Sequence, residues 1–320
     1  MGKTRLPLTA LDMQLDLLRH YTKNPHGRLY ADAVVDAALY SNSTVPIAER
    51  QEIGLHVHRS ILGAGDTFAV SSDIVSVIDQ AAQSLPSFIL HPEDLPSLNG
   101  FVWLEHPIIV KDINEKNLVV KAFGWNTAHF KFGDDEDEMA VIMLAWTDPR
   151  DSRDHAYVDW ERPTGDEFAP PSGLLSMIAG IFPFNEEWLS GRFGNPIHPE
   201  KPVDPGLGRF WLTFLRFLAE PWINTERYEP DRHQAKRAIR TLEHVPAIHV
   251  VHLRRRAQTG NADHEAGNVE WSHRWLVRGH WRNQWYPSLE VHKPRWIAEH
   301  IKGPEAMPLV VHDKIFAVER

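Results

Sequence analysis

None of the 320 residues is cysteine. That excludes disulfides, thiolate zinc sites, iron–sulfur clusters and a cysteine nucleophile, and it fits a reducing, cytoplasmic setting. No apolar run approaches the roughly 18–20 residues that a membrane-spanning helix requires. The start, Met1-Gly2-Lys3-Thr4-Arg5-Leu6-Pro7, has a basic end with no apolar core behind it, so it is not a secretory signal. Leu6 also stands where a myristoylation site needs Ser or Thr. Internal repeats and low-complexity tracts are missing. Gly63-Ala64-Gly65-Asp66 lacks the Lys-Ser/Thr of a phosphate-gripping loop, and Gly206-Leu207-Gly208 has no third glycine. There is no Gly-x-Ser-x-Gly elbow and no His-Glu-x-x-His helix.

What is present has the proportions of a folded protein. Hydrophobic residues make up 42% and charged residues 24%, enough apolar material for one large domain or two ordinary ones. The net charge of −9 is unevenly spread. Residues 221–320 carry 16 Lys+Arg against 12 Asp+Glu, whereas the first 220 carry 18 against 31. An acidic body with a basic end points to a C-terminal surface for an anionic partner.

Periodicity divides the chain further. Thr9 suits the N-cap of a helix with Leu11, Leu15 and Leu18 on its apolar face. Residues 31–40 predict a second helix, and Ser72 caps a third that carries Ile74, Val75, Ile78 and Ala81 inward. From 86 to 147 the pattern changes to short β-rich runs such as Phe101-Val102-Trp103-Leu104, Ile108-Ile109-Val110 and Val141-Ile142-Met143-Leu144. Asn99-Gly100 and Gly133-Asp134 read as turns between them. Helices first and strands after predict an α+β fold with a mainly antiparallel sheet. Residues 161–173, rich in Pro and Gly, read as a loop or linker. It separates an acidic α+β region (1–160) from a segment (174–320) of helices packed on a small antiparallel sheet. A helix is expected from Ser172 up to an interruption at Pro183. A stronger one carries Leu207, Phe210, Trp211, Phe214, Leu215 and Leu218 at helical spacing. Beyond it, Pro230 suits the first position of a helix running to Leu242. Residues 248–254, 271–282 and 309–318 predict strands.

The 271–282 stretch concentrates the chemistry. As one strand it places Arg274, Arg278, His280 and Arg282 on one side and Trp271, His273, Trp275, Val277 and Trp281 on the other. Arginines about 7 Å apart along a strand suit successive phosphates better than a single carboxylate. Gly279 marks a bulge or a close backbone approach. Arg232, Lys236 and Arg240 share one face of the preceding helix at i, i+4 and i+8. Like charges stacked this way weaken an isolated helix, so an anionic ligand or nearby acids must compensate. Trp285, Tyr286, His292, Arg295 and Trp296 add aromatic and basic groups suited to stacking on unpaired bases. The competing reading is an internal Arg–Trp lattice that serves only packing.

Trp275-Leu276-Val277-Arg278-Gly279-His280-Trp281-Arg282-Asn283-Gln284, with Pro294-Arg295-Trp296-Ile297 and Lys302-Gly303-Pro304-Glu305 downstream, resembles the C-terminal signature of uncharacterised proteins from actinobacteria and their phages. The resemblance covers about residues 205–320. It implies a shared module and a phage or mobile-element setting, but no activity and no catalytic residues.

Three functions follow from these residues. The first is nucleic-acid binding, RNA or DNA, by Arg232, Lys236, Arg240, Arg274, Arg278, Arg282 and Arg295. The second is a protein-interaction or assembly role, with another protein or a second copy, using the Trp/Arg-rich segment as interface. The third is a metal-independent ribonuclease. In it His280 or His292 takes the 2′-hydroxyl proton, Arg278 or Arg282 holds the phosphorane charge and Tyr286 assists as acid. No cofactor and no metal site is expected. His56-Val57-His58 and His249-Val250-Val251-His252 lack a third ligand, and Asp134-Asp135-Glu136-Asp137-Glu138 reads as a solvated hairpin loop rather than a cation site.

Overall fold

Three leucines, Leu11, Leu15 and Leu18, are buried along one face of α1 (Arg5–Lys23), as their spacing requires. The computed structural model describes residues 5–40, 52–111, 117–131, 137–148, 172–185, 194–195, 198–202, 206–253, 274–304 and 307–310. Thr9 lies inside α1 rather than at its cap, its hydroxyl donating to the Arg5 carbonyl at 3.0 Å, a back-bond open to a helical threonine. α2 (Pro25–Tyr40) begins before the expected Ala31 because Pro25 needs no N–H partner in a first turn. α3 (Ile53–Arg59) comes next. In α4 (Ser72–Ala82) the cap position belongs to Ser71, and Ile74, Val75, Ile78 and Ala81 are buried.

The strands are β1 (Asp66–Val70), β2 (Asn99–Lys111), β3 (Asn117–Lys131), β4 (Asp137–Thr147), β5 (Leu175–Pro183), β6 (Gly194–Asn195), β7 (His198–Pro202), β8 (Ile223–Tyr228) and β9 (Ile248–Leu253). Seven of them form one sheet in the order β5-β4-β3-β2-β1-β9-β8. Its β2–β5 part is antiparallel, as expected, but β1 runs parallel to both β2 and β9. The fold is therefore α+β with a mixed central sheet. That sheet takes strands from both sides of residues 161–173, of which only 172 and 173 are described.

Two local expectations fail for identifiable reasons. Asn99-Gly100 is not a turn but the start of β2, where Gly100 pairs with Trp125. A Cβ on Gly100 would stand 2.2 Å from the Trp125 ring, so glycine is present for closeness rather than for chain reversal. The helix expected from Ser172 is strand β5. A run of nine mostly apolar residues fits either element. Pairing with β4 decides it, and Pro183 is tolerated because it ends an edge strand.

Alternation along the strands divides the core in two. One face carries Phe68, Val102, Phe123, Trp125, Met143 and Val251 and is covered by α4 and α5 (Gly206–Leu218). The other carries Phe101, Ile142, Leu144, Trp146 and Ile248 and is covered by α1, α2, α3 and α6 (Arg232–Leu242). Leu207, Phe210, Trp211, Phe214 and Leu215 of α5 are buried, as predicted, and so is Thr213. No helix among the described residues is long and apolar enough to cross a membrane.

Candidate nucleic-acid interface

The stretch expected to be one strand breaks at Arg278-Gly279. It forms β10 (Arg274–Val277) and β11 (His280–Tyr286), which belong to different sheets. Trp271 and His273 lie outside the described residues. The break follows from packing: a Cβ on Gly279 would meet the Trp296 ring at 2.4 Å, so the chain turns where only glycine fits. β11 forms a hairpin with β12 (Val291–Ile297), whereas β10 pairs with β13 (His300–Lys302) and β14 (Leu309–Val310). Residues 311–318 of the last expected strand lie outside the described residues. The single row of three arginines is therefore not formed.

Their surroundings differ as well. Arg274 is half-buried, with its Nε enclosed and without a hydrogen-bond partner among the described residues. Arg278 is exposed, and its carbonyl accepts from His280 Nδ1 at 3.0 Å. Arg282 is exposed, donates to the Gln284 side chain and stands opposite Arg295 in the hairpin register. Arg295 is drawn back toward the body, its Nε 3.7 Å from the Glu220 carboxylate. Burial pushes the Glu220 carboxyl above its ordinary range, against the opposing pull of Arg295.

The tryptophans are mostly internal. Trp281 donates from Nε1 to the Ala81 carbonyl at 2.9 Å and packs edge-on against Trp296, whose ring is buried against Phe217. A second anchor lies beneath the hairpin. Asp94 Oδ1 accepts from both Arg216 and Lys293, each at 2.8 Å, and all three side chains are largely buried. Much of the inner side of the hairpin thus serves packing, through Trp–Trp and Trp–Phe contacts. Trp285, tilted against His292 with ring centroids 4.8 Å apart, remains 43% exposed.

The proposed ribonuclease groups are spread along the hairpin. His280 pairs with Ile297 at one end of the hairpin and His292 with Trp285 near the other. That is five strand positions, about 17 Å, so the two alternative bases stand at different places along the hairpin. Tyr286 is half-buried beyond Trp285.

α6 behaves differently. It starts at Arg232 rather than at Pro230, and Asp231 caps it. The Asp231 carboxylate accepts from the Gln234 amide N–H at 2.9 Å, and the Gln234 side chain accepts from the Asp231 N–H at 2.8 Å. Ala238 and Leu242 are buried inward. Arg232, His233, Lys236 and Arg240 are exposed, and none makes an ion pair with a described residue. On the flank against α1, by contrast, Arg237 is neutralised by Asp12 at 2.7 Å.

Packing adds a cation that no sequence pattern marks. Arg19 of α1 donates to the Thr241 hydroxyl through Nε at 3.1 Å and Nη2 at 2.9 Å, which sets an exposed guanidinium beside the last turn of α6. The two residues lie 222 positions apart. Since α6 covers one face of the sheet and the hairpin packs with the α4–α5 face, the two basic groups read from the sequence lie on opposite sides of the molecule.

Of the weaker signals, His58 is fully buried. Its Nδ1 donates to the Gly54 carbonyl at 2.7 Å and its Nε2 accepts from the Ser176 hydroxyl at 2.9 Å. The tautomer follows, because a carbonyl can only accept. Residues 134–136 lie outside the described residues, and no cluster of three His, Cys, Asp or Glu able to hold a metal is found among those described.

No protein-family model and no curated protein matches the chain. Among solved structures it is similar to the crystal structure of AcrVA2 at 13% sequence identity, over 93% of this chain and 86% of that one, with a TM-score of 0.39, a likeness too low to bear on function.

Proposed function

We propose that this protein binds nucleic acid through the surface shared by α6 and α1, with Arg232, Lys236, Arg240 and Arg19 as its phosphate contacts. One observation carries the reading: the outward cations of α6 have no carboxylate partner among the described residues, while Arg237 on its flank is paired. Cations at i, i+4 and i+8 destabilise a helix by tenths of a kcal/mol per pair. In a chain of net charge −9, acids to offset them are plentiful, and an anionic ligand is the physical alternative. The phage or mobile-element setting is supported by the resemblance of residues 275–284 and 294–305, and a nucleic-acid ligand suits such a setting. Arg278, just before the hairpin, and Arg282, on it, are secondary, since they lie on the other side of the sheet.

The test is a fluorescence-anisotropy titration of labelled nucleic acid at about 100 mM salt. The triple variant Arg232→Gln, Lys236→Gln, Arg240→Gln should lose at least about tenfold in affinity with its circular dichroism unchanged. The pair Arg278→Gln, Arg282→Gln should change affinity less than about threefold. Equal affinity of the triple variant and the parent overturns the proposal.

A further inference from the structure

Resting on that nucleic-acid reading, we infer that the ligand is the sugar–phosphate backbone of a duplex, held without reading its bases. The chemistry of the surface is the reason. The outward face of α6 offers Arg232, His233, Lys236, Ile239 and Arg240. The side chains best suited to reading adenine are Asn and Gln, and the amide on this helix is already engaged. The Gln234 Oε1 accepts from the Asp231 N–H at 2.8 Å and from the Tyr228 hydroxyl at 3.1 Å.

Single-strand binding calls for aromatic platforms on which unpaired bases stack. No Phe, Tyr or Trp stands exposed on this surface among the described residues. Trp285 is the large aromatic that stands well exposed among the described residues, and it belongs to the hairpin on the opposite side of the sheet. Tyr228, nearest to α6, is half-buried with its hydroxyl donating to Gln234.

Geometry points the same way. Three cations at helical repeats span about 12 Å along α6. Arg19 stands beside this row on a second, packed helix, so the positive field is two-dimensional rather than a single track. A two-row field matches phosphates on both strands across a groove better than one strand's backbone. Arginine can read guanine, so the inference forbids a measurable preference for G·C over A·T sites.

The experiment uses the full chain with 20-base-pair DNA duplexes of two unrelated sequences, one G·C-rich and one A·T-rich. It also uses a matching RNA duplex and one isolated DNA strand, titrated by anisotropy between 50 and 200 mM salt. The two DNA sequences should bind within about threefold of each other, and the single strand at least about tenfold more weakly. Four phosphate contacts predict a log–log salt slope of about −3 to −4, falling in magnitude by about 0.9 for each of Arg19→Gln, Arg232→Gln, Lys236→Gln and Arg240→Gln on either sequence. Whether the DNA or the RNA duplex binds more tightly assigns the source of the backbone, and either supports the inference. A single strand that binds as well as the duplex, or a sequence preference above about tenfold, overturns the inference and leaves the nucleic-acid reading intact. No binding to any of the four at 50 mM salt removes both.

Discussion

Acid should unstitch this fold at His58. The imidazole sits in the core between Tyr21, with ring centroids 4.8 Å apart, and Trp146, at 6.3 Å. Its two nitrogens are spent on Gly54 and Ser176. The same knot holds the Tyr21 hydroxyl, which donates to the Leu174 carbonyl at 2.9 Å, and the Tyr30 hydroxyl, which donates to the Ser176 carbonyl at 2.8 Å. A proton on Nε2 would turn the acceptor that the Ser176 hydroxyl needs into a second donor. Burial therefore lowers the His58 pKa from the ordinary 6.5 to about 4. Between those values the unfolded chain binds the proton and the folded one does not, so stability is complete above about pH 6.5 and declines as pH falls toward 4. At pH 5 the loss from this one group is about 2 kcal/mol, approaching about 3 kcal/mol below pH 4. Carboxylates contribute their own pH dependence, so the measurement is a difference. Urea unfolding of the parent and of His58→Gln, at pH 7.5 and pH 5.0, should show the parent's advantage shrinking by about 2 kcal/mol. Parallel pH profiles would refute the reasoning, because they would mean that His58 titrates alike in both states.

Two further variants test the packing. Asp94→Asn leaves Lys293 and Arg216 buried without a counter-charge and should cost about 3 kcal/mol by urea unfolding; a loss below about 1 kcal/mol would show that water already relieves these cations. Gly100→Ala pushes a methyl into the Trp125 ring, which is held by its Nε1 donating to the Ser97 carbonyl at 2.9 Å. It should cost about 1–3 kcal/mol by the same assay, and an unchanged midpoint would mean that the sheet gives way locally.

How much of this was legible beforehand depends on the range of the forces involved. The apolar stripe of α5 and the inward set of α4 follow from side-chain spacing alone, and both are buried as that spacing requires. The parallel part of the central sheet did not follow. β1 joins β2 and β9 in parallel, and parallel pairing is decided by contacts between distant segments. The strand expected over 271–282 is instead β10 and β11, in different sheets. Its break depends on Trp296 pressing against Gly279, which no local pattern encodes. The site divides in the same way. The stripe Arg232, Lys236, Arg240 was readable because helical spacing is local. The pairing of Arg237 with Asp12 and the arrival of Arg19 were not, because each joins residues more than two hundred positions apart.

Amine-reactive footprinting, read by mass spectrometry with and without a bound DNA duplex, asks the central question with the unaltered chain. Lys236 on α6 and Lys302 on β13 are both exposed, whereas Lys293 is buried against Asp94. The account predicts that the duplex shields Lys236 severalfold and leaves Lys302 reacting at its free rate. Shielding of Lys302 with Lys236 unaffected would contradict it, and would move the binding surface to the C-terminal strands.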